Sequence, residues 1–345
     1  VKPYALRKAF NRRLQAVDIA LRRVRFRSSP TQLVIEPTNR CNACCPICAR
    51  NFWDQRANPP ADLEADTLNA LDRFFLAADT VFAFGHGEPL VSASFWLLVE
   101  KAKQFGCRVE FTSNGLALSE SIVDRLIDHG VEIMNLSLDA VEPGALRARR
   151  GLEVAHAERL FAHLAASKVE HGAAFPEGGI AVTVDRDNLA ELPHLLAFAA
   201  DLHVKSLLVS HLVAWDPSLH TRSAYHEPEA MRRAFAELKE AGERAGVTVV
   251  LPFEAVVRGR CPHPLHMFVV RATGEVWPCC NAVFRNDRYS FPVGNVHNQS
   301  LESIWNSKPY QALRRAFLRR GPLPEHCRIC PLYADELASH LRQLS

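Results

Sequence analysis

The residues with the clearest chemical potential are cysteines. Ten occur in 345 residues, at positions 41, 44, 45, 48, 107, 261, 279, 280, 327 and 330. Four crowd the run Cys41-Asn42-Ala43-Cys44-Cys45-Pro46-Ile47-Cys48. Cys41, Cys45 and Cys48 give the spacing C-x3-C-x2-C. Three thiolates so spaced can wrap one face of a cubane [4Fe–4S] cluster, leaving the fourth iron open to a small molecule. Cys44 is an extra thiol: as first ligand it would need partners at 48 and 51, and residue 51 is Asn. The alternatives are a zinc site or plain buried thiols. Zinc wants a fourth Cys or His, and the closest histidine in sequence is His86.

A second set follows the pattern C-x12-G-x4-C through Cys261, Gly274 and Cys279, then Cys327-Arg328-Ile329-Cys330. On spacing alone, four such thiols suit zinc. Cys280 reads as a packed neighbour of Cys279, and the two are rivals for one role. Cys107 opens a strand and reads as core.

Strand-like runs at 32–36, 80–84, 108–112, 133–138, 180–184 and 206–209 alternate with helical patterns at about 64–77, 93–105, 118–129, 153–169, 188–202 and 227–245. Such alternation means βα units and a parallel sheet. The expected fold class is α/β, a partial (β/α)6 barrel with a small C-terminal α+β domain. The first cysteine loop follows the first strand, where α/β barrels carry their chemistry. After about residue 250 the pattern changes: 267–272 and 275–277 flank Thr273-Gly274 and read as a hairpin, followed by a helix at about 301–317. The expected division is a basic N-terminal helical segment over 1–30, with a helix or helix pair at 3–27, the partial barrel over 31–251, and the smaller domain over 252–345.

Bulk composition narrows the class. Hydrophobic residues make up 48% and charged residues 23%, as in globular chains. A formal charge of +3 argues against nucleic acid as the main partner. No run reaches the ~18 apolar residues of a membrane span. The first residues, VKPYALRKAF, contain no signal-peptide core. Clustered cysteines without such a signal point to metal in a reducing, cytoplasmic compartment.

The first cysteine loop resembles the signature of the radical S-adenosylmethionine (SAM) superfamily. The resemblance implies that the open iron chelates the amino and carboxylate groups of SAM, and that reductive cleavage yields a 5′-deoxyadenosyl radical that takes a hydrogen atom from the substrate. Ile47 departs from the family pattern, which often has an aromatic residue there. Gly85-His86-Gly87-Glu88-Pro89 resembles the "GGEP" element with His86 for a glycine, implying that Gly85, Gly87 and Glu88 hold the methionine amino group. Thr112-Ser113-Asn114-Gly115 resembles the "TNG" turn, and Asn135–Asp139 the "SLDG" element. Ser137 is then expected at the ribose or carboxylate and Arg150 at the carboxylate, with Arg147 and Arg149 as rivals, while Asp139 is expected to cap the next helix.

The second cysteine set resembles the SPASM/Twitch extension of the same superfamily. No cysteine follows Cys330, which favours the shorter Twitch form: one auxiliary [4Fe–4S] cluster on Cys261, Cys279, Cys327 and Cys330, closed to substrate and suited to accept an electron. Related proteins imply a small polar natural-product intermediate undergoing net oxidation, and the short segment ahead of the first strand favours that reading. The alternatives are ribosomal-peptide modification (crosslinking or epimerisation), radical methyl or adenosyl transfer, and a non-catalytic metal-binding protein. Flavodoxin or ferredoxin is the expected electron donor. His211, Trp215, Asp216, Asp185, Arg186 and Asp187 lie after the fifth and sixth strands as candidate substrate groups, with no catalytic acid or base assigned.

Overall fold

The computed structural model describes residues 3–214, 216–252, 261–279, 292–322, 327 and 330. Up to residue 113 the elements are α1 (Pro3–Ala20), β1 (Gln32–Ile35), α2 (Ala65–Ala70), α3 (Asp72–Phe75), β2 (Thr80–Ala83), α4 (Ser94–Gln104) and β3 (Arg108–Ser113). Next come α5 (Glu120–Asp128), β4 (Ile133–Ser137), α6 (Pro143–Arg150), α7 (Val154–Glu170), β5 (Glu177–Val184), α8 (Leu192–Asp201), β6 (Ser206–His211), α9 (Pro228–Ala245) and β7 (Thr248–Val250). The last described elements are α10 (His263–His266), β8 (Met267–Val270), β9 (Glu275–Trp277), β10 (Gly294–Asn295), α11 (Leu301–Trp305) and α12 (Lys308–Leu318).

The chain divides into two compact units, and it passes between them within β3. The first unit takes its described residues from 1–41, 53–110 and 257–328, and the second from 42–52, 111–256 and 329–345.

In the first unit β1 is central. It pairs in parallel with β2 on one side, Ile35 opposite Ala83, and with β8 on the other, Ile35 opposite Val270. Both faces of β1 are buried, which explains its unbroken apolar run Leu33-Val34-Ile35. Val34 packs with Met267, Val269 and Trp277. The expected hairpin is present: β8 and β9 pair antiparallel around Gly274, whose φ of 77° suits a residue without Cβ. Its first strand, however, joins β1 and extends the parallel sheet.

The N-terminal segment is a single helix, α1, rather than a pair. In its last turn, buried Asp18 accepts the backbone N–H groups of Arg27 and Ser28. The fully buried guanidinium of Arg314 lies 4.0 Å from the Phe26 ring centroid and 4.1 Å from that of Trp305. Burial pulls its pKa down to about 9.

In the second unit β4, β5, β6 and β7 are consecutive parallel neighbours. The three-residue β7 adds a strand to the expected six, too short to stand out as a periodic run. Helix α6, also unforeseen, starts at the Glu142 carboxylate, which accepts from Gly144 and Ala145 N–H, and stops at Gly151 with φ 71°. Asp139 therefore does not cap it. No helix among the described residues is long and apolar enough to cross a membrane.

Candidate functional site

The cysteine loop folds on itself first. Cys48 N–H donates to the Cys45 carbonyl at 3.0 Å, and Asn51 Nδ2 donates to the same oxygen at 2.8 Å. Cys45 is buried, Cys41 and Cys48 are half-buried, and Cys44 is exposed. Ile47 packs with Leu212 and Leu219 beyond β6, so an aliphatic residue here serves a local core. Asn114, in the turn after β3, donates to Asn42 Oδ1 at 2.9 Å and accepts Leu116 N–H at 2.9 Å. The structure thus brings this candidate to the cysteine loop. Ser113 Oγ accepts the N–H of Gly115, whose φ of 84° makes the turn.

Arg150 reaches the loop from the end of α6. Its Nη2 donates to Asp139 Oδ1 at 2.9 Å, its Nε lies 2.7 Å from Oδ2, and its Nη1 lies 3.9 Å from Cys45 Sγ. Burial would lower the Arg150 pKa, but the Asp139 carboxylate more than offsets this and holds it above its usual value. A fixed cation thus stands beside Cys45, one of the three thiols spaced for a cluster. Of its rivals, Arg147 pairs with Glu153 at 2.6 Å, while Arg149 pairs with Asp185 at 2.9 Å and also lies 3.8 Å from Asp139. Asp139 also accepts Thr183 N–H at 2.9 Å. Ser137, at the end of β4, is 9% exposed.

In the first unit, parallel pairing brings the carboxyl ends of β1, β2 and β8 together. Glu36, one residue past β1, is 3% exposed and collects partners from both neighbours. Oε1 accepts His86 N–H at 2.8 Å and lies 3.1 Å from His86 Nδ1. Oε2 accepts Ala272 N–H at 3.1 Å and Arg271 Nε at 3.4 Å. Burial opposes ionisation, but His86 and Arg271 together bring the Glu36 pKa down to about 2. The glycines of the turn answer to close approach rather than φ. A Cβ on Gly85 would sit 2.4 Å from Glu36 Cγ, and one on Gly87 would sit 2.3 Å from the Thr38 carbonyl oxygen. Glu88 is buried, its N–H donates to the Arg40 carbonyl at 2.8 Å, and its Oε1 accepts Leu90 N–H. Sequence reading passed over Glu36 and Arg271. A buried-to-be carboxylate directly after an apolar strand was the available signal.

Of the C-terminal thiols, Cys261, Cys327 and Cys330 are buried and Cys279 is half-buried against Met267, Val269 and Trp277. His263 hydrogen-bonds Cys261. Cys280 lies outside the described residues. Among the described residues no group of three or more His, Cys, Asp or Glu is placed to hold a single metal ion. A cubane instead spreads its thiolates over several irons, and soft sulfur donors, one of them beside a guanidinium, suit it.

The candidate substrate groups are engaged within the protein. Asp185 is fully buried between Arg149 and Arg222, at 2.9 and 2.8 Å. Arg186 pairs with Glu227 at 2.6 Å, Asp187 pairs with Arg222 at 3.0 Å, and Asp216 caps Ser218. His211, at the end of β6, packs on Tyr225 and Phe235, and burial lowers its pKa to about 3. Trp215 lies outside the described residues.

Comparison with known proteins agrees with these motifs. The radical SAM superfamily model matches residues 35–199, and the SPASM model, an iron–sulfur cluster-binding domain, matches residues 261–331. A tungsten-containing aldehyde ferredoxin oxidoreductase cofactor-modifying protein of Pyrococcus furiosus is 28% identical over 320 residues, covering 87% of each chain. A PqqA peptide cyclase of Gluconobacter oxydans is 28% identical over 316 residues, covering 88% of this chain and 83% of the cyclase. Among solved structures, Streptococcus suis SuiB bound to precursor peptide SuiA matches with a TM-score of 0.65 at 14% identity, over 94% of this chain and 74% of SuiB. The anSMEcpe structure with bound AdoMet matches with a TM-score of 0.64 at 17% identity, over 88% of this chain and 87% of that one. These likenesses show the fold. Motifs and family matches together show a radical SAM domain over residues 35–199 and a C-terminal SPASM domain over residues 261–331, domains that imply a [4Fe–4S] cluster, SAM and auxiliary iron–sulfur binding.

Proposed function

We propose that this radical SAM enzyme modifies a peptide, forming a crosslink within it. The observation that carries the reading is similarity to a PqqA peptide cyclase across 88% of this chain. The fold shared with a peptide-bound SuiB supports it. This moves the preference away from the small polar natural-product intermediate expected from the sequence. The Pyrococcus furiosus relative, which modifies a cofactor by name, keeps a non-peptide substrate as the second reading.

When bound, the first cluster with SAM supplies a radical that takes a hydrogen atom from the substrate, and an auxiliary cluster supplies an electron acceptor. Within 31–251, Cys41, Cys45 and Cys48 would hold the first cluster. Gly85, Gly87 and Glu88 would accept the ammonium of SAM through carbonyls and a carboxylate. Ser113, Asn114 and Ser137 are the proposed polar contacts. Arg150 is proposed to act from its Asp139 pair, holding positive charge at Cys45 and the SAM carboxylate. Within 252–345, Cys261, Cys279, Cys327 and Cys330 would hold one auxiliary cluster. A flavodoxin or ferredoxin would deliver the starting electron.

The test is anaerobic turnover with a short peptide encoded beside this gene, deuterated at candidate positions. Crosslinking predicts loss of two hydrogens from the peptide and deuterium in 5′-deoxyadenosine. An unchanged peptide, with turnover of a small molecule instead, sinks the peptide reading. A methylated or adenosylated product points to group transfer.

A further inference from the structure

The Glu36 box joins four segments that nothing in their sequence spacing ties together. Glu36 ends the strand before the cysteine loop. His86 lies in the glycine turn proposed to hold SAM. Trp53 and Asn58 follow the cysteine loop. Arg271 and Ala272 open the turn of the C-terminal hairpin, between Cys261 and Cys279. The ring is closed. Glu36 bonds His86 and Arg271 on its two oxygens. The His86 ring lies 4.5 Å from the Trp53 ring, and the Arg271 guanidinium lies 5.5 Å from that same ring. Asn58 Oδ1 accepts Arg271 Nη1 at 2.8 Å. Glu36, His86 and Arg271 are all buried.

Trp53 packs against both turns, but within the box it is the carboxylate that hydrogen-bonds to both. His86 N–H and Ala272 N–H are main-chain groups, so Glu36 fixes the backbone of each turn rather than a side chain alone. Glu36 packs directly against Gly85, in the space a Cβ there would take. An ordered hairpin therefore holds Glu36, and Glu36 holds the Gly85–Glu88 turn. Binding at either end must then bias the other by the same factor.

We propose that Glu36 is a positioning residue that couples occupancy of the C-terminal cysteine site to SAM affinity at the Gly85–Glu88 turn. It touches neither group itself. This rests on the proposed assignment of that turn to SAM.

The test uses the reconstituted full-length chain and reads SAM dissociation constants by calorimetry, together with the perturbation of the first cluster's electron paramagnetic resonance signal by SAM. Glu36→Gln should weaken SAM tenfold or more while the first cluster's iron is retained. Cys279→Ser, which empties the auxiliary site, should weaken SAM severalfold in the wild-type background. In Arg271→Gln, which leaves Glu36 and its His86 contacts in place, the same cysteine change should alter affinity less than twofold. Strictly additive effects of Arg271→Gln and Cys279→Ser overturn the coupling, as does a Glu36→Gln effect below twofold. Glu88→Gln separates the causes of failure. If it leaves SAM affinity unchanged, both the turn's assignment and the coupling fall. If it weakens SAM while Glu36→Gln does not, only the coupling falls.

Discussion

Two buried carboxylates, one in each unit, are held in place by opposite means. Asp139 in the second unit is held chiefly by Arg150 from α6, a short helix beginning four residues later. Glu36 in the first unit is held by groups 50 and 235 residues away. The first arrangement is local and rests on a guanidinium meeting both carboxylate oxygens. The second is distributed, and half of its bonds come from backbone N–H groups. Asp139 rests mainly on one guanidinium that meets both its oxygens, with Thr183 N–H at 2.9 Å and Arg149 at 3.8 Å beside it, so it should fail more sharply when that guanidinium goes than Glu36 does on losing one of its four bonds.

The largest expected effect tests the sharp side. Arg150→Met takes the nearer of two cations from buried Asp139, leaving Arg149 at 3.8 Å, and should cost about 3–5 kcal/mol in urea unfolding. It should also lower iron retention, because Cys45 loses its neighbouring charge. Recovery of part of that stability in Arg150→Met/Asp139→Asn would identify the unpaired charge as the cause. Arg271→Met should cost less, about 1–3 kcal/mol, because Glu36 keeps His86 and two backbone donors. Equal costs for the two arginines would erase the contrast between local and distributed support.

Gly87→Ala provides a sharper probe of the first unit. Its new methyl meets backbone oxygen rather than a movable side chain, so SAM affinity should fall at least tenfold while helix content by circular dichroism is unchanged. Normal affinity would show that the turn tolerates displacement. The smallest effect concerns pH. His211 has a folded pKa of about 3, below the usual 6.5, because it is buried. The unfolded chain therefore binds the proton first, and the stability His211 contributes is present above pH 6.5 and is lost as pH falls toward 3. Between pH 7 and 5.5 the loss should be about 1 kcal/mol, and His211→Gln should remove that decline. An unchanged slope in the variant would mean that another group titrates there.

The same contrast explains what could be read in advance. The cysteine spacings, the glycine turn and the first six strands announce themselves within short windows, by residue type and by period. Asp139 was misread as a helix cap because caps are common after strands and the actual cap, Glu142, lies three residues on. The role of Glu36 depends on β8 lying beside β1, and a pairing over 235 residues leaves no mark in a local window. The seventh strand was lost to brevity. The thiol positions were therefore legible, while the charges that surround them were a product of tertiary pairing.

The parallel pairing of β8 with β1 has a consequence for engineering. Gln32–Ile35 is an interior strand only because Met267–Val270 covers one side of it. A shortened chain ending before Met267 would not be a smaller barrel. It would present the N–H and C=O groups of an apolar strand as an open edge, available to another chain. Such truncations should be recovered as aggregates even though every cysteine of the first loop is intact.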